Sequence, residues 1–201
     1  MIRVLLAEDQ AMVRGALAAL LTLEGDIEIV AEVGRGDEVV PVALDTRPDV
    51  ALLDIEMPGC DGLSAAAALH EQLPTCRVLI LTTFGRPGYL RRAMEGGVVG
   101  FLLKDAPSAQ LASAIRRAMA GQRVVDPALA TAALSEGPNP LTEREREVLV
   151  AAAPGTSVAE IASALALSEG TVRNYLSVAM QKLNARNRAE AARLAEQKGW
   201  L

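Results

Sequence analysis

Apolar and polar residues fall in blocks along the first 120 positions. Ile2 to Ala7 is apolar apart from Arg3 and climbs directly into Glu8 and Asp9. The next block, from about Ala11 to Leu23, sets Met12, Val13, Ala16, Leu17, Leu20 and Leu21 at the spacing of an amphipathic helix. The same alternation then recurs. Strands are expected over Ile27 to Val33, Val50 to Asp54, Arg77 to Thr83 and Gly100 to Leu103, and helices over Gly36 to Thr46, Leu63 to Gln72, Pro87 to Glu95 and Ser108 to Ala120, with Ser108 as the cap of the last. The uninterrupted aliphatics of Val50-Ala51-Leu52-Leu53 read as a strand buried on both faces. Pro58-Gly59 and Gly62 then turn the chain into the next helix. Strands alternating with helices in this way predict an α/β fold, a parallel doubly wound sheet of five strands with right-handed crossovers and the flavodoxin-like order 2-1-3-4-5.

After Arg123 the periodicity fades, and the sequence permits a short helix from Pro127 to Leu134. Ser135-Glu136-Gly137-Pro138-Asn139-Pro140 has the composition of a linker. Beyond it, Thr142 with Glu145 and Ser157 with Glu160 are capping boxes, and Ser168 and Asn187 open two further helices. The chain therefore divides into an α/β domain over 1–122, a linker over 123–140 and an all-α domain of four short helices over 141–201.

Composition narrows the picture. Aromatic residues make up only 2% of the chain against 51% hydrophobic, so the core has to be built from Ala, Val, Leu and Ile. The net charge of −5 is uneven: residues 168–201 hold 6 Lys and Arg against 3 Asp and Glu. A basic bias at the end of an acidic chain points to an anionic partner there. Cys60 and Cys76 are too few for a disulfide framework, and no leader or long apolar run is present, so a soluble cytoplasmic protein without membrane insertion is expected.

The candidate chemistry sits at strand ends. With the expected strand order, strands 1 and 3 are neighbours at the switch point, which brings Asp9 and Asp54 together, while strands 4 and 5 add Thr82 and Lys104 to the same edge. Clustered carboxylates suit a hard cation such as Mg²⁺. Asp54 is then a candidate nucleophile for a phosphoryl group, with Lys104 supplying positive charge and Thr82 a hydroxyl. His70, the only histidine, reads as a surface residue, Cys60 and Cys76 as ordinary thiols, and Met57 as packing in a turn.

These residues resemble a known family. Glu8-Asp9, the run Asp54-Ile55-Glu56-Met57-Pro58-Gly59-Cys60-Asp61-Gly62, Thr82 and Phe101-Leu102-Leu103-Lys104 look like the receiver domain of two-component response regulators. The resemblance implies that Asp54 accepts a phosphoryl group from a sensor histidine kinase, and that Asp9, Asp54 and the Glu56 carbonyl hold Mg²⁺ with Glu8 in support. It also makes Thr82 and Phe101 the switch pair and Lys104 the phosphate-binding lysine. Asp105 departs from the pattern, since many receivers carry proline after this lysine. The last part, with Leu141-Thr142-Glu143-Arg144-Glu145, Glu160-Ile161-Ala162, Thr171-Val172 and Lys182-Leu183, resembles the LuxR-type helix-turn-helix of the NarL branch. Leu81 to Tyr89 together with Asn174-Tyr175 is most similar to the DesR-like subgroup.

On the helix opening at Ser168, Val172, Leu176, Ala179 and Leu183 follow 4-3-4 spacing and face a core, which leaves Arg173, Asn174, Ser177 and Gln181 outward. The resemblance makes that face the reader of double-stranded DNA. Lys182, off the face, is expected to meet a DNA phosphate or a neighbouring carboxylate. Tyr175 and Ala179 depart from the commoner histidine and larger aliphatic. The expected function is a transcription regulator that dimerises when phosphorylated and whose only chemistry is gain and loss of its own aspartyl phosphate. Two rivals compete with it. A phosphatase working through an aspartyl phosphate needs a substrate-binding cap, and no insertion in 1–122 is long enough to form one; a constitutive DNA binder has no use for the full acid, threonine and lysine set.

Overall fold

In a computed structural model, which describes residues 1–83, 87–127, 129–131, 139–152 and 155–201, the alternating blocks become β1 (Ile2–Ala7), α1 (Ala11–Thr22), β2 (Ile27–Val33), α2 (Gly36–Thr46), β3 (Val50–Leu53), α3 (Gly62–Gln72), β4 (Arg77–Thr82), α4 (Pro87–Glu95), β5 (Gly100–Leu103), α5 (Ser108–Met119) and β6 (Val124–Val125). All strands pair in parallel, in the order β2-β1-β3-β4-β5-β6. The expected order of the first five is present. The sheet has a sixth strand that the sequence does not announce: Val124 and Val125 pair with Gly100 and Phe101, too short a stretch to show any periodicity. α5 begins at Ser108, with Pro107 in the capping position rather than Ser108.

Every residue of β3 is buried, as is β4 from Val78 to Thr82. Val4, Leu6, Val50, Leu52, Leu79 and Leu81 pack with Leu111, Ala112, Ile115 and Ala118 of α5 and with Leu21 of α1. Three of the five α5 residues in this cluster, Ala112, Ala114 and Ala118, are small, and no aromatic side chain joins it. Of the expected helix over 127–134, residues 127 and 129–131 are helical. The rest of it, Ser135 to Pro138 of the expected linker, Pro154 of the expected turn, and Phe84-Gly85-Arg86 lie outside the described residues.

The C-terminal unit comprises α6 (Glu143–Ala151), α7 (Val158–Ala164), α8 (Glu169–Lys182) and α9 (Arg188–Gln197). Each starts as its sequence directs. Thr142 and Ser157 form complete capping boxes with Glu145 and Glu160, and Ser168 and Asn187 accept the N–H of Thr171 and Glu190. Val148, Leu149, Ile161, Val172, Leu176, Ala179, Ala191 and Ala195 form its core. Among the described residues no helix is long and apolar enough to cross a membrane.

Candidate functional site

The carboxyl ends of β1, β3, β4 and β5 open on one edge because these strands are neighbours in a parallel sheet. Glu8 and Asp9 follow β1, Asp54 follows β3, Thr82 closes β4 and Lys104 follows β5. A cleft of about 220 Å³ at this edge is lined by Asp9, Gln10, Asp54, Glu56, Thr82 and Thr83. Glu8 is 1% exposed, Asp54 5% and Thr82 3%, whereas Asp9 and Glu56 are exposed.

Lys104 joins the two buried acids. Its Nζ lies 2.7 Å from Glu8 Oε2 and 2.9 Å from Asp54 Oδ2. Burial draws the Lys104 ammonium down, but the hydrogen bonds to Glu8 and Asp54 outweigh burial and hold it above the ordinary lysine range. Burial pushes the Glu8 carboxyl up, and Lys104 only partly offsets it. The second oxygens are also engaged: Asp54 Oδ1 accepts the Ile55 N–H at 2.8 Å, and Glu8 Oε1 accepts the Gln10 N–H at 3.3 Å. Glu8, Asp9 and Asp54 each offer an oxygen within 4.8 Å of the others, a donor set that fits a hard divalent cation.

The loop after Asp54 is pinned from two sides. The Gly62 N–H donates to the Ile55 carbonyl at 2.8 Å, and the Gly36 N–H of α2 donates to the Pro58 carbonyl at 3.0 Å. A Cβ at Gly62 would overlap the Asp54 carbonyl, and one at Gly36 the Cys60 carbonyl, so both positions have room for glycine alone. Asp61 caps α3 by accepting the N–H groups of Leu63 and Ser64. Phe101 is fully buried, paired along the sheet with Ile80 and Val125.

In the C-terminal unit, Val172, Leu176 and Ala179 bury one face of α8, and Arg173, Asn174, Ser177 and Gln181 are exposed. Arg173 Nη2 donates to Glu169 Oε2 at 2.7 Å, an exposed pair that adds little to stability. Of the two partners expected for Lys182, the carboxylate is the one present: Nζ lies 2.9 Å and 2.7 Å from the two oxygens of Glu145.

Residues 4–116 match the response regulator receiver domain, and 139–195 match the luxR family of bacterial regulatory proteins. The chain belongs to the LuxR-type response regulators. It is a two-component response regulator that regulates transcription. The transcriptional regulatory protein DesR of Bacillus subtilis is 48% identical over 200 residues, 100% of this chain and 99% of that protein. YvfU of Bacillus subtilis, an uncharacterised transcriptional regulatory protein, is 48% identical over the whole of both chains. Among solved structures, the response regulator ChrA of a heme-sensing two-component system is 35% identical, with a TM-score of 0.58 over 100% of this chain and 98% of that one. An RcsB–DNA complex shares the fold at a TM-score of 0.68 and 22% identity, covering 98% of each chain.

Several residues of this response regulator's cleft escaped the sequence reading. Gln10 and Thr83 line it beside residues that were recognised, and adjacency to Asp9 and Thr82 was the available signal. Arg14, one turn into α1, donates through Nη1 to the Glu8 carbonyl, and the Gly36–Pro58 contact joins the start of α2 to the loop after Asp54. His70 is exposed and Cys76 buried, where burial pushes its thiol up to about 12, and neither approaches the cleft lining.

Proposed function

We propose that Asp54 accepts a phosphoryl group from a phosphohistidine of a sensor histidine kinase, and that the added charge favours a homodimer and sequence-specific DNA binding. The observation that carries this reading is Lys104 Nζ at 2.9 Å from Asp54 Oδ2, at the sheet edge where Glu8 and Asp9 each bring an oxygen within 4.8 Å of one from Asp54. In the reaction an Asp54 oxygen forms the new P–O bond as the P–N bond to the donor imidazole breaks, and the electron pair returns to the imidazole nitrogen. Lys104 places its charge beside the incoming phosphoryl oxygens, and the Thr82 hydroxyl at the cleft wall is positioned to donate to one of them.

The oxygens of Glu8, Asp9 and Asp54, with the Glu56 carbonyl as a main-chain candidate, are the residues that would hold Mg²⁺. When bound, that ion offsets repulsion between the acids and an anionic donor. A phosphoryl group adds about −1.5 to −2 charges, and Thr82 is the side chain at the cleft that can follow it and bias a two-state packing. Phe101 is already fully buried, which favours Thr82 as the leading partner of the switch pair.

DNA contact is assigned to the outward face of α8, with Arg173 and Asn174 reading bases and Ser177 and Gln181 beside them. The chain divides on this reading into receiver, linker and DNA-binding segment, and β6 supports a linker that starts beyond Val125 rather than at 123. The chain is expected to act in the cytoplasm and to catalyse nothing beyond gain and loss of its own aspartyl phosphate. The test is incubation of the full chain with acetyl phosphate and Mg²⁺, read on a phosphate-affinity gel. The wild type is expected to give a retarded band that Asp54→Asn lacks; a retarded band of equal strength in the variant would contradict the assignment.

A further inference from the structure

Glu145 is the one charged side chain buried in the C-terminal unit among the described residues. It carries two loads at once. Its Oε2 accepts the Thr142 N–H at 2.7 Å and so completes the capping box of α6, while both its oxygens receive Lys182 Nζ at 2.7 and 2.9 Å. Lys182 lies 37 positions later, in the last turn of α8. A positive charge there also suits the helix carbonyl end. A lysine that spends two of its three N–H donors on one buried carboxylate is poorly placed to follow a DNA phosphate as well.

We infer that Lys182, an exposed residue held by both oxygens of the buried Glu145, serves DNA recognition indirectly: with Glu145 it ties the last turn of α8 to the first turn of α6 and sets the attitude of the helix whose outward face carries Arg173 and Asn174. It is a positioning residue, not a phosphate contact. The packed core explains why such a tie is needed. Between α6 and α8 the contact side chains include Val148, Leu149, Val172, Leu176 and Ala179, aliphatics without polar directionality that tolerate small rotations of one helix on another. A charge-assisted hydrogen-bonded pair has a defined geometry and removes that freedom. Base readout by bidentate side chains is sensitive to displacements of about half an ångström, so the pair acts on affinity at a distance from the DNA.

This inference rests on α8 being the base-reading helix, and the experiment separates the two. Full-length wild type, Lys182→Met, the neutral pair Glu145→Gln with Lys182→Met, and Arg173→Ala are titrated against a duplex selected by the wild type from a randomised library, and against a scrambled duplex, over a series of salt concentrations. Lys182→Met strands a buried carboxylate and is expected to weaken selected-duplex binding about tenfold at every salt concentration. The neutral pair removes both charges, keeps an acceptor for the Thr142 N–H, and is expected to return within about threefold of wild type with the wild-type salt slope. A phosphate contact behaves otherwise: every variant lacking Lys182 loses about one from the salt slope and the neutral pair does not recover. A reduced slope in the neutral pair, or its failure to fold or to recover, overturns the inference. Arg173→Ala that leaves the ratio of selected to scrambled binding unchanged would instead remove α8 as the reader, whatever the Lys182 series shows.

Discussion

Replacing Lys104 with methionine keeps most of the side-chain volume and removes the cation that bridges Glu8 and Asp54. Both carboxylates are buried, at 1% and 5% exposure, and each gives one oxygen to Nζ at 2.7 and 2.9 Å. Breaking a buried ion pair from one side costs about 3–5 kcal/mol, because the stranded charge keeps its desolvation penalty. Lys104 itself retains 12% side-chain exposure. Water therefore reaches the vacated position and the lower end, about 3 kcal/mol, is expected. With a urea dependence of about 1–3 kcal/mol per molar, this moves the midpoint of the receiver transition down by about 1–3 M. A divalent cation bound among Glu8, Asp9 and Asp54 supplies the missing charge, so Mg²⁺ should raise the midpoint of Lys104→Met more than that of wild type, by mass action on the folded state. The assay is urea unfolding of both proteins followed by circular dichroism, with chelator and with Mg²⁺. An unshifted midpoint for Lys104→Met in chelator would refute the reasoning, since it would mean that the two acids do not need the lysine.

Three other outcomes are expected. Gly36→Ala drives a Cβ into the Cys60 carbonyl and displaces the loop that carries Glu56, so phosphorylation by acetyl phosphate should slow and the urea midpoint should fall by the equivalent of about 1–3 kcal/mol; a rate equal to wild type counts against the loop's role. For Glu145, burial raises the carboxyl but the Lys182 and Thr142 hydrogen bonds outweigh it and hold it below its ordinary value of 4.5; its stabilisation is present above that value and is lost as pH falls through the lower folded one, so the C-terminal unit should weaken below about pH 4.5. Glu145→Gln should flatten that pH dependence, and an unchanged profile counts against it. Arg173→Ala should reduce discrimination between selected and scrambled duplexes by about 1–3 kcal/mol, and an equal loss on both duplexes counts against base reading.

Legibility in the sequence followed the range of the interaction. The four caps at Thr142, Ser157, Ser168 and Asn187 are contacts over three residues, and each was readable from residue type and spacing alone. The acid cluster was readable because an aliphatic strand running into Asp54, placed beside one running into Glu8-Asp9, follows from chain topology before any side chain is positioned. β6 was not, because two valines give no period and their pairing depends on Gly100 and Phe101 in another segment. The Glu145–Lys182 tie lay between the two: Glu145 was visible only as a cap, and a carboxylate was one of two partners open to Lys182, because a separation of 37 residues leaves no local pattern to read. The bracing of the loop after Asp54 by Gly36 was hidden for the same reason.

Selection of duplexes from a randomised library by the full chain is the most direct test that phosphorylation at Asp54 controls DNA binding. Wild type and Asp54→Asn are each run with and without acetyl phosphate and Mg²⁺, with the folded state of both confirmed by circular dichroism. The expected result is a common sequence enriched strongly by the phosphorylated wild type, weakly by the unphosphorylated protein, and no more strongly by Asp54→Asn when acetyl phosphate is added. Equal enrichment by wild type and Asp54→Asn in the presence of acetyl phosphate would contradict it.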